Sequence, residues 1–96
     1  MNYEEFKLTI ENNELPPLLP LYLQALWYDA KGDWSKAHSL IDSLDDLNSC
    51  WVHAYLHRKE GDLWNADYWY RRAQKNRPAY PLPEEWKKIV ETLLEK

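Results

Sequence analysis

Apolar residues recur at helical spacing along the chain. Asn2 opens an N-x-x-E capping box, and Tyr3, Phe6 and Ile10 then follow at i, i+3 and i+7, on one face of a helix. Comparable stripes follow in later segments, and no window alternates apolar and polar residues convincingly enough for a strand. The pattern predicts an all-α fold of about six helices of ordinary length.

Glycine, proline and capping residues mark where these helical segments begin and end. Gly32 and Gly61 are each followed by an aspartate, so each glycine is predicted to end one helix and each aspartate to cap the next. Asn48 or Ser49 is predicted to cap the fourth helix. Pro83 is predicted to occupy the first position of the last helix, where proline costs no hydrogen bond.

The two glycine turns belong to an internal repeat. Sliding residues 18–46 onto residues 47–75 superposes five identical residues, among them Gly32 on Gly61. Four of the five identities fall at the turn, at the capping aspartate and at two alanines that let two helices approach closely, and the fifth superposes Leu18 on Leu47. Repeats of this kind are helical hairpins whose apolar faces need neighbouring hairpins to cover them.

The second repeat unit resembles a tetratricopeptide (TPR) repeat and is also similar to the related Sel1-like repeats. The resemblance is carried by Ala54, Gly61, Asp62, Ala66, Tyr70, Ala73 and Pro78. The first unit matches less fully, at Ala25, Tyr28, Gly32, Trp34 and Ala37. The repeat offset of 29 residues is shorter than the 34 of the family, which indicates a tighter link between hairpins.

The resemblance implies a single domain built as a right-handed stack of antiparallel helical hairpins. It also implies that the protein binds another protein or a peptide rather than catalysing a reaction. The predicted parts are an N-terminal capping helix at 2–13, TPR-like units at 18–46 and 47–80, and a C-terminal capping helix at 83–95.

In TPR proteins the first helix of each hairpin lines a concave surface on which peptides bind. By the matched repeat positions, this surface is predicted to carry Tyr22, Leu26, Asp29, Trp51, Tyr55, Arg58 and Lys59. Aromatic anchors beside cationic donors suit a peptide that has apolar side chains and a carboxylate. The sequence leaves open whether the capping helix 83–95 or the proline-rich linker 14–20 already fills this surface.

Composition and charge narrow the function further. A net charge of −4 argues against general nucleic-acid binding, although the basic segment 71–77 keeps a weak nucleic-acid interface as an alternative. With six Trp, seven Tyr and one Phe, some rings are expected to face a partner or a second copy in a homodimer. The amino terminus has no signal-peptide pattern and no uncharged run is long enough to span a bilayer, so a cytoplasmic protein without a membrane partner is predicted.

Enzyme signatures are mostly missing, so we predict no catalytic activity, no cofactor and no metal. The alternative is a small thiol- or metal-dependent enzyme at Cys50, His53 and His57. His53 and His57 are spaced i, i+4, with Glu60 following, and could grip a metal, but buried hydrogen-bonded imidazoles are the commoner arrangement. Cys50 in the first turn of the same helix could have a lowered thiol pKa, but a buried, inert cysteine is commoner.

Overall fold

A computed structural model of the chain describes residues 1–95, and these residues form six helices without a strand. The all-α prediction is therefore confirmed. None of the six helices combines the length and the apolar character needed to cross a membrane. The helices are α1 (Tyr3–Glu11), α2 (Leu21–Ala30), α3 (Trp34–Ile41), α4 (Leu47–Glu60), α5 (Leu63–Arg72) and α6 (Leu82–Leu94).

Two helical hairpins, α2–α3 and α4–α5, make the closest helix pairs of the fold. Gly32 and Gly61 follow α2 and α4 with φ of 86° and 89°, the left-handed conformation that glycine adopts without a steric cost. The side chain of Asp33 accepts a hydrogen bond from a backbone N–H of α3, and that of Asp62 does the same for α5. Both glycine turns and both aspartate caps are confirmed, whereas the right-handed TPR-like stacking stays a prediction.

The helix starts were predicted with mixed success. The Asn2 capping box is present, because Asn2 and Glu5 exchange side-chain-to-backbone hydrogen bonds of 2.8 and 2.9 Å. The predicted caps of α4 were wrong: α4 begins earlier, and Asp46 caps it by accepting from the backbone N–H of Ser49 at 3.0 Å. A carboxylate three residues before that N–H is well placed to accept its hydrogen bond.

Helix α6 packs across both α2 and α4, and α1 packs on α6. Its apolar face joins the main core, which contains Phe6, Leu26 and Val90 among its fully buried side chains. The indole Nε1 of Trp86 donates a 3.1 Å hydrogen bond to the carbonyl oxygen of Leu26. The C-terminal helix therefore packs against the two helices that carry the predicted partner-binding residues.

Replacing Gly61 by alanine is expected to lower the free energy of unfolding by about 1–2 kcal/mol, because an L-residue is strained at this φ. Apart from the chain neighbours of Gly61, no heavy atom lies within 4 Å of the added Cβ, so the cost comes from the local backbone conformation and not from a clash with the surrounding structure. Gly61→Asn should lose less, since asparagine tolerates the left-handed region. Urea denaturation measures both variants, and an alanine variant as stable as the wild type would contradict the prediction.

Candidate functional site

A surface groove of about 510 Å³ lies where α1, α2, α4 and α6 meet, and we call it the four-helix groove. Its walls combine aromatic and aliphatic side chains with two cations and two anions. They are formed by Tyr3, Lys7, Ile10, Glu11, Asp29, Ala30, Tyr55, Lys59, Leu82, Pro83 and Trp86.

Three of the seven predicted site residues meet in this groove. Lys59 Nζ donates a 2.8 Å hydrogen bond to Asp29 Oδ1, and the Tyr55 hydroxyl donates to Asp29 Oδ2 at 3.1 Å. Asp29 is only 2% exposed. The Lys59 ammonium neutralises its charge, and the Tyr55 hydroxyl supplies a hydrogen bond to its second carboxylate oxygen. Burial and the neighbouring Asp29 carboxylate raise the pKa of Tyr55, which keeps its hydroxyl protonated at neutral pH.

The other four predicted residues lie elsewhere. Leu26 is completely buried in the core, so its predicted contact with a partner is not retained. Tyr22 is half-buried against the same core. Trp51 is also half-buried but lies toward α5, where the Lys75 ammonium is 4.3 Å from the centre of its ring.

Arg58, the fourth, is used inside the protein. Its guanidinium donates to Glu85 Oε1 of α6 at 2.8 Å and also to the carbonyl oxygen of Tyr80. Glu85 also accepts a hydrogen bond from the hydroxyl of Tyr70 on α5. The side chains of Arg58 and Glu85 are 14% and 1% exposed, so this pair fastens α6 to the hairpins instead of facing a partner.

The groove residues that sequence reasoning missed come from the two terminal helices. Tyr3 and Ile10 of α1 and Trp86 of α6 were recognised as an apolar stripe of their own helix. Helical periodicity shows which residues share a face, but it does not show which other helix that face meets. No sequence signal indicated that α1 and α6 would form two walls of one groove.

A cluster of three histidines forms a second candidate site, between α3 and α4. His38, His53 and His57 each offer one nitrogen, and these nitrogens lie within 4.8 Å of one another. The Nε2 atoms of His38 and His53 are 3.1 Å apart. The i, i+4 pair on α4 was visible in the sequence, but the third member, His38 of α3, was missed.

Carboxylates stand behind two of these imidazoles. His57 Nδ1 is 2.8 Å from Glu60 Oε2, and His38 Nδ1 is 3.9 Å from Asp42 Oδ2. Nδ1 of His53 is buried and has no hydrogen-bond partner within residues 1–95. Glu60 and His57 also form a second, more exposed group of metal-ligand types with Asp62.

Two tryptophans hold the histidine rings in place. Trp34 stacks on His38 with ring centres 4.8 Å apart and ring planes 7° apart, and its own Nε1 donates to the carbonyl oxygen of Leu56. Trp69 stacks on His53 at 3.9 Å and 13°. The two indole rings therefore limit the access of water to the histidine cluster and fix the orientation of the imidazoles.

This environment keeps the imidazoles of His38 and His53 uncharged. Burial, together with the neighbouring His38 and His57 and the Arg72 guanidinium, lowers the pKa of His53 to about 3. Burial and His57 also lower the pKa of His38 from its ordinary value. At neutral pH both rings are therefore neutral, so each has one unprotonated nitrogen, and the two Nε2 atoms share a hydrogen bond.

Cys50 does not match the thiol-enzyme alternative. Its side chain is buried, and burial raises the pKa of the thiol. A reactive cysteine needs a lowered thiol pKa and access to solvent, so Cys50 has the properties of a buried, unreactive cysteine.

The basic segment 71–77 is partly committed to contacts within the protein. Arg77 forms a 2.8 Å ion pair with Asp67, and the guanidinium of Arg72 lies 4.9 Å from the centre of a Trp69 ring. These contacts leave fewer free cations for phosphate groups, although the segment stays largely exposed.

Comparisons with protein-family models, with curated proteins and with solved structures found no match to this chain. The TPR-like resemblance therefore rests on the residues that carry it.

Proposed function

We propose that this protein is a non-enzymatic interaction module that binds a peptide segment of a partner protein in the four-helix groove. The observation that carries the proposal is an open groove in which apolar walls surround a few fixed charges. Specific binding sites commonly have this composition, since apolar area supplies affinity and a small number of polar groups fix the orientation.

The charges in the groove indicate what the peptide offers. Asp29 is buried and neutralised, whereas the side chain of Lys59 is 39% exposed and Lys7 is exposed. Lys59 is already paired with Asp29, so the exposed Lys7 ammonium is the group that suits a carboxylate of the peptide. Ile10, Leu82 and the other apolar walls suit its aliphatic or aromatic side chains. A cytoplasmic location and a homodimer stay predictions from the sequence.

A blocking variant tests the proposal. Ala30 is exposed and lines the groove, so Ala30→Arg should fill the groove while leaving the core untouched. Peptides are first selected from a random displayed library on the immobilised full chain, and their affinities are then measured by fluorescence anisotropy. We expect Ala30→Arg to weaken the selected peptides at least about tenfold, a loss of about 1.4 kcal/mol.

Ser39→Arg is the matched control, because Ser39 is equally exposed on α3 but lies outside the groove. This variant should bind the selected peptides as the wild type does. Equal binding by both arginine variants, or the failure of the library to yield any peptide, would contradict the proposal. Sedimentation analysis of the free protein separates peptide binding from self-association.

A further inference from the structure

The three nitrogens of the histidine cluster converge from two different helical hairpins. His38 belongs to α3, whereas His53 and His57 belong to α4. The 3.1 Å between Nε2 of His38 and Nε2 of His53 is close to the distance of about 3.3–3.4 Å that separates two nitrogens bound to a tetrahedral zinc ion. All three donor atoms lie within 4.8 Å of one another, so small rotations of the third ring complete a trigonal set.

The hydrogen-bond partners orient the lone pairs of these rings. A carboxylate at Nδ1 favours the proton on that nitrogen, so Glu60 favours the tautomer of His57 whose lone pair is on Nε2. Asp42 occupies a similar position next to His38, with its Oδ2 atom 3.9 Å from Nδ1 of that ring. Metal-binding histidines usually have a carboxylate in this position, because it fixes the ring and makes the imidazole more basic.

The surroundings fit a closed site with one approach from solvent. Trp34 and Trp69 stack on the cluster and restrict water, as the apolar shell of a metal site does. His53 and His57 are buried, whereas the side chain of His38 is 25% exposed. The exposed edge at His38 gives an ion a route into the cluster and leaves a fourth position for water or a ligand.

We propose that His38, His53 and His57 bind one divalent transition-metal ion. Neutral imidazole nitrogens select Zn²⁺, Co²⁺, Ni²⁺ or Cu²⁺ over Mg²⁺ and Ca²⁺, which prefer oxygen ligands. The bound ion links the α2–α3 hairpin to the α4–α5 hairpin. Since it binds the folded chain in preference to the unfolded chain, it also raises the midpoint of thermal unfolding.

Titration with Zn²⁺ and Co²⁺ tests this proposal on the full chain, prepared without a histidine tag and freed of metal with a chelator. Calorimetry should give one Zn²⁺ per chain, and Co²⁺ should produce the visible absorption of a four-coordinate ion. His38→Phe keeps a ring on Trp34 but removes both nitrogens, so it should abolish the Co²⁺ spectrum and the thermal shift.

Two further variants separate this site from the neighbouring carboxylate group. Glu60→Gln should weaken Zn²⁺ about 10–100-fold, because it removes the carboxylate behind His57 while leaving the three ligands in place. Asp62→Asn is the matched control: it removes a carboxylate from the second group and keeps a side chain that can cap α5. It should bind Zn²⁺ as the wild type does.

The proposal is overturned if the wild-type chain binds neither ion at stoichiometric concentrations. It is also overturned if binding survives His38→Phe and is lost in Asp62→Asn, since the ion then lies on His57, Glu60 and Asp62. Circular dichroism establishes that each variant is folded. If His38→Phe does not fold, Asp62→Asn keeps the test decisive, because a loss of Zn²⁺ binding in that variant places the ion on the second group.

Discussion

Replacing Glu85 by alanine is expected to lower the free energy of unfolding by about 3–5 kcal/mol. Glu85 is 1% exposed and accepts hydrogen bonds from both Arg58 and Tyr70. Its removal leaves the Arg58 guanidinium without its counter-ion in a site that is mostly closed to water, and leaves the Tyr70 hydroxyl without an acceptor. An unpaired buried charge costs far more than an ion pair at the surface contributes.

Glu84 provides the matched control for this variant. It also lies in the first turn of α6, but its side chain is exposed. Glu84→Ala should therefore lose only the interaction with the helix dipole, about 0.3–1 kcal/mol. Urea denaturation, followed by circular dichroism, measures both variants, and equal losses would show that the buried pair does not fasten α6.

A double variant separates the cost of an unpaired charge from the value of the pair. Replacing Arg58 and Glu85 together by leucine removes both charges, so it should be more stable than Glu85→Ala. The Tyr70 hydroxyl and the Tyr80 carbonyl still lose a partner each, so recovery should be incomplete. A double variant less stable than Glu85→Ala would mean that packing around α6, rather than charge, decides the loss.

The role of Arg58 also changes what can be learned from its substitution. The TPR-like resemblance assigned Arg58 to the surface that contacts a partner. In the structure it joins α4 to α6 and to the carbonyl of Tyr80. A loss of binding in an Arg58 variant therefore reports a loosened α6, whereas Ala30→Arg blocks the groove without touching this network.

Local features of the fold could be predicted from the sequence because they depend on nearby residues. A glycine followed by an aspartate specifies a left-handed residue and the next helix cap, and this held at both Gly32 and Gly61. Asn13 likewise adopts positive φ after α1, as its residue type allows. Such signals span a few positions and need no tertiary information.

Long-range placement could not be predicted in the same way. Glu85 has the sequence context of a first-turn acidic residue, which normally faces solvent, yet it is buried against Arg58 from another hairpin. His38 has no partner within its own helix that marks it as a member of a cluster. Its relation to His53 depends on how α3 packs on α4, and neither periodicity nor motif spacing contains that information.

The histidine cluster should also make the metal-free protein sensitive to mild acid. In the folded chain the pKa of His53 is lowered to about 3, whereas an unfolded chain has a histidine pKa of about 6.5. Between these values the unfolded chain takes up a proton that the folded chain does not. Stability is therefore full above about pH 6.5 and falls by about 1.4 kcal/mol per pH unit for each such proton as the pH decreases toward 3.

The charged and titratable groups near His53 also lower its pKa, or lie against other residues and do not raise it. His38 and His57 are neighbouring imidazoles and Arg72 is a nearby cation, and all three disfavour a proton on His53. The nearest carboxylates, Asp42 and Glu60, contact the other two histidines rather than His53. The lowered pKa of His38 adds to the loss of stability as the pH falls below about 6.5.

Urea denaturation at pH 7, 6 and 5 in the presence of a chelator measures this effect. Over that range carboxyl groups with ordinary pKa values near 4 stay mostly ionised, so the loss belongs chiefly to the histidines. His53→Phe is the informative variant, because it can keep a ring on Trp69 but has no proton to bind. Its free energy of unfolding should fall less steeply between pH 7 and pH 5 than that of the wild type. Equal slopes would show that the histidine cluster is not the source of the acid sensitivity.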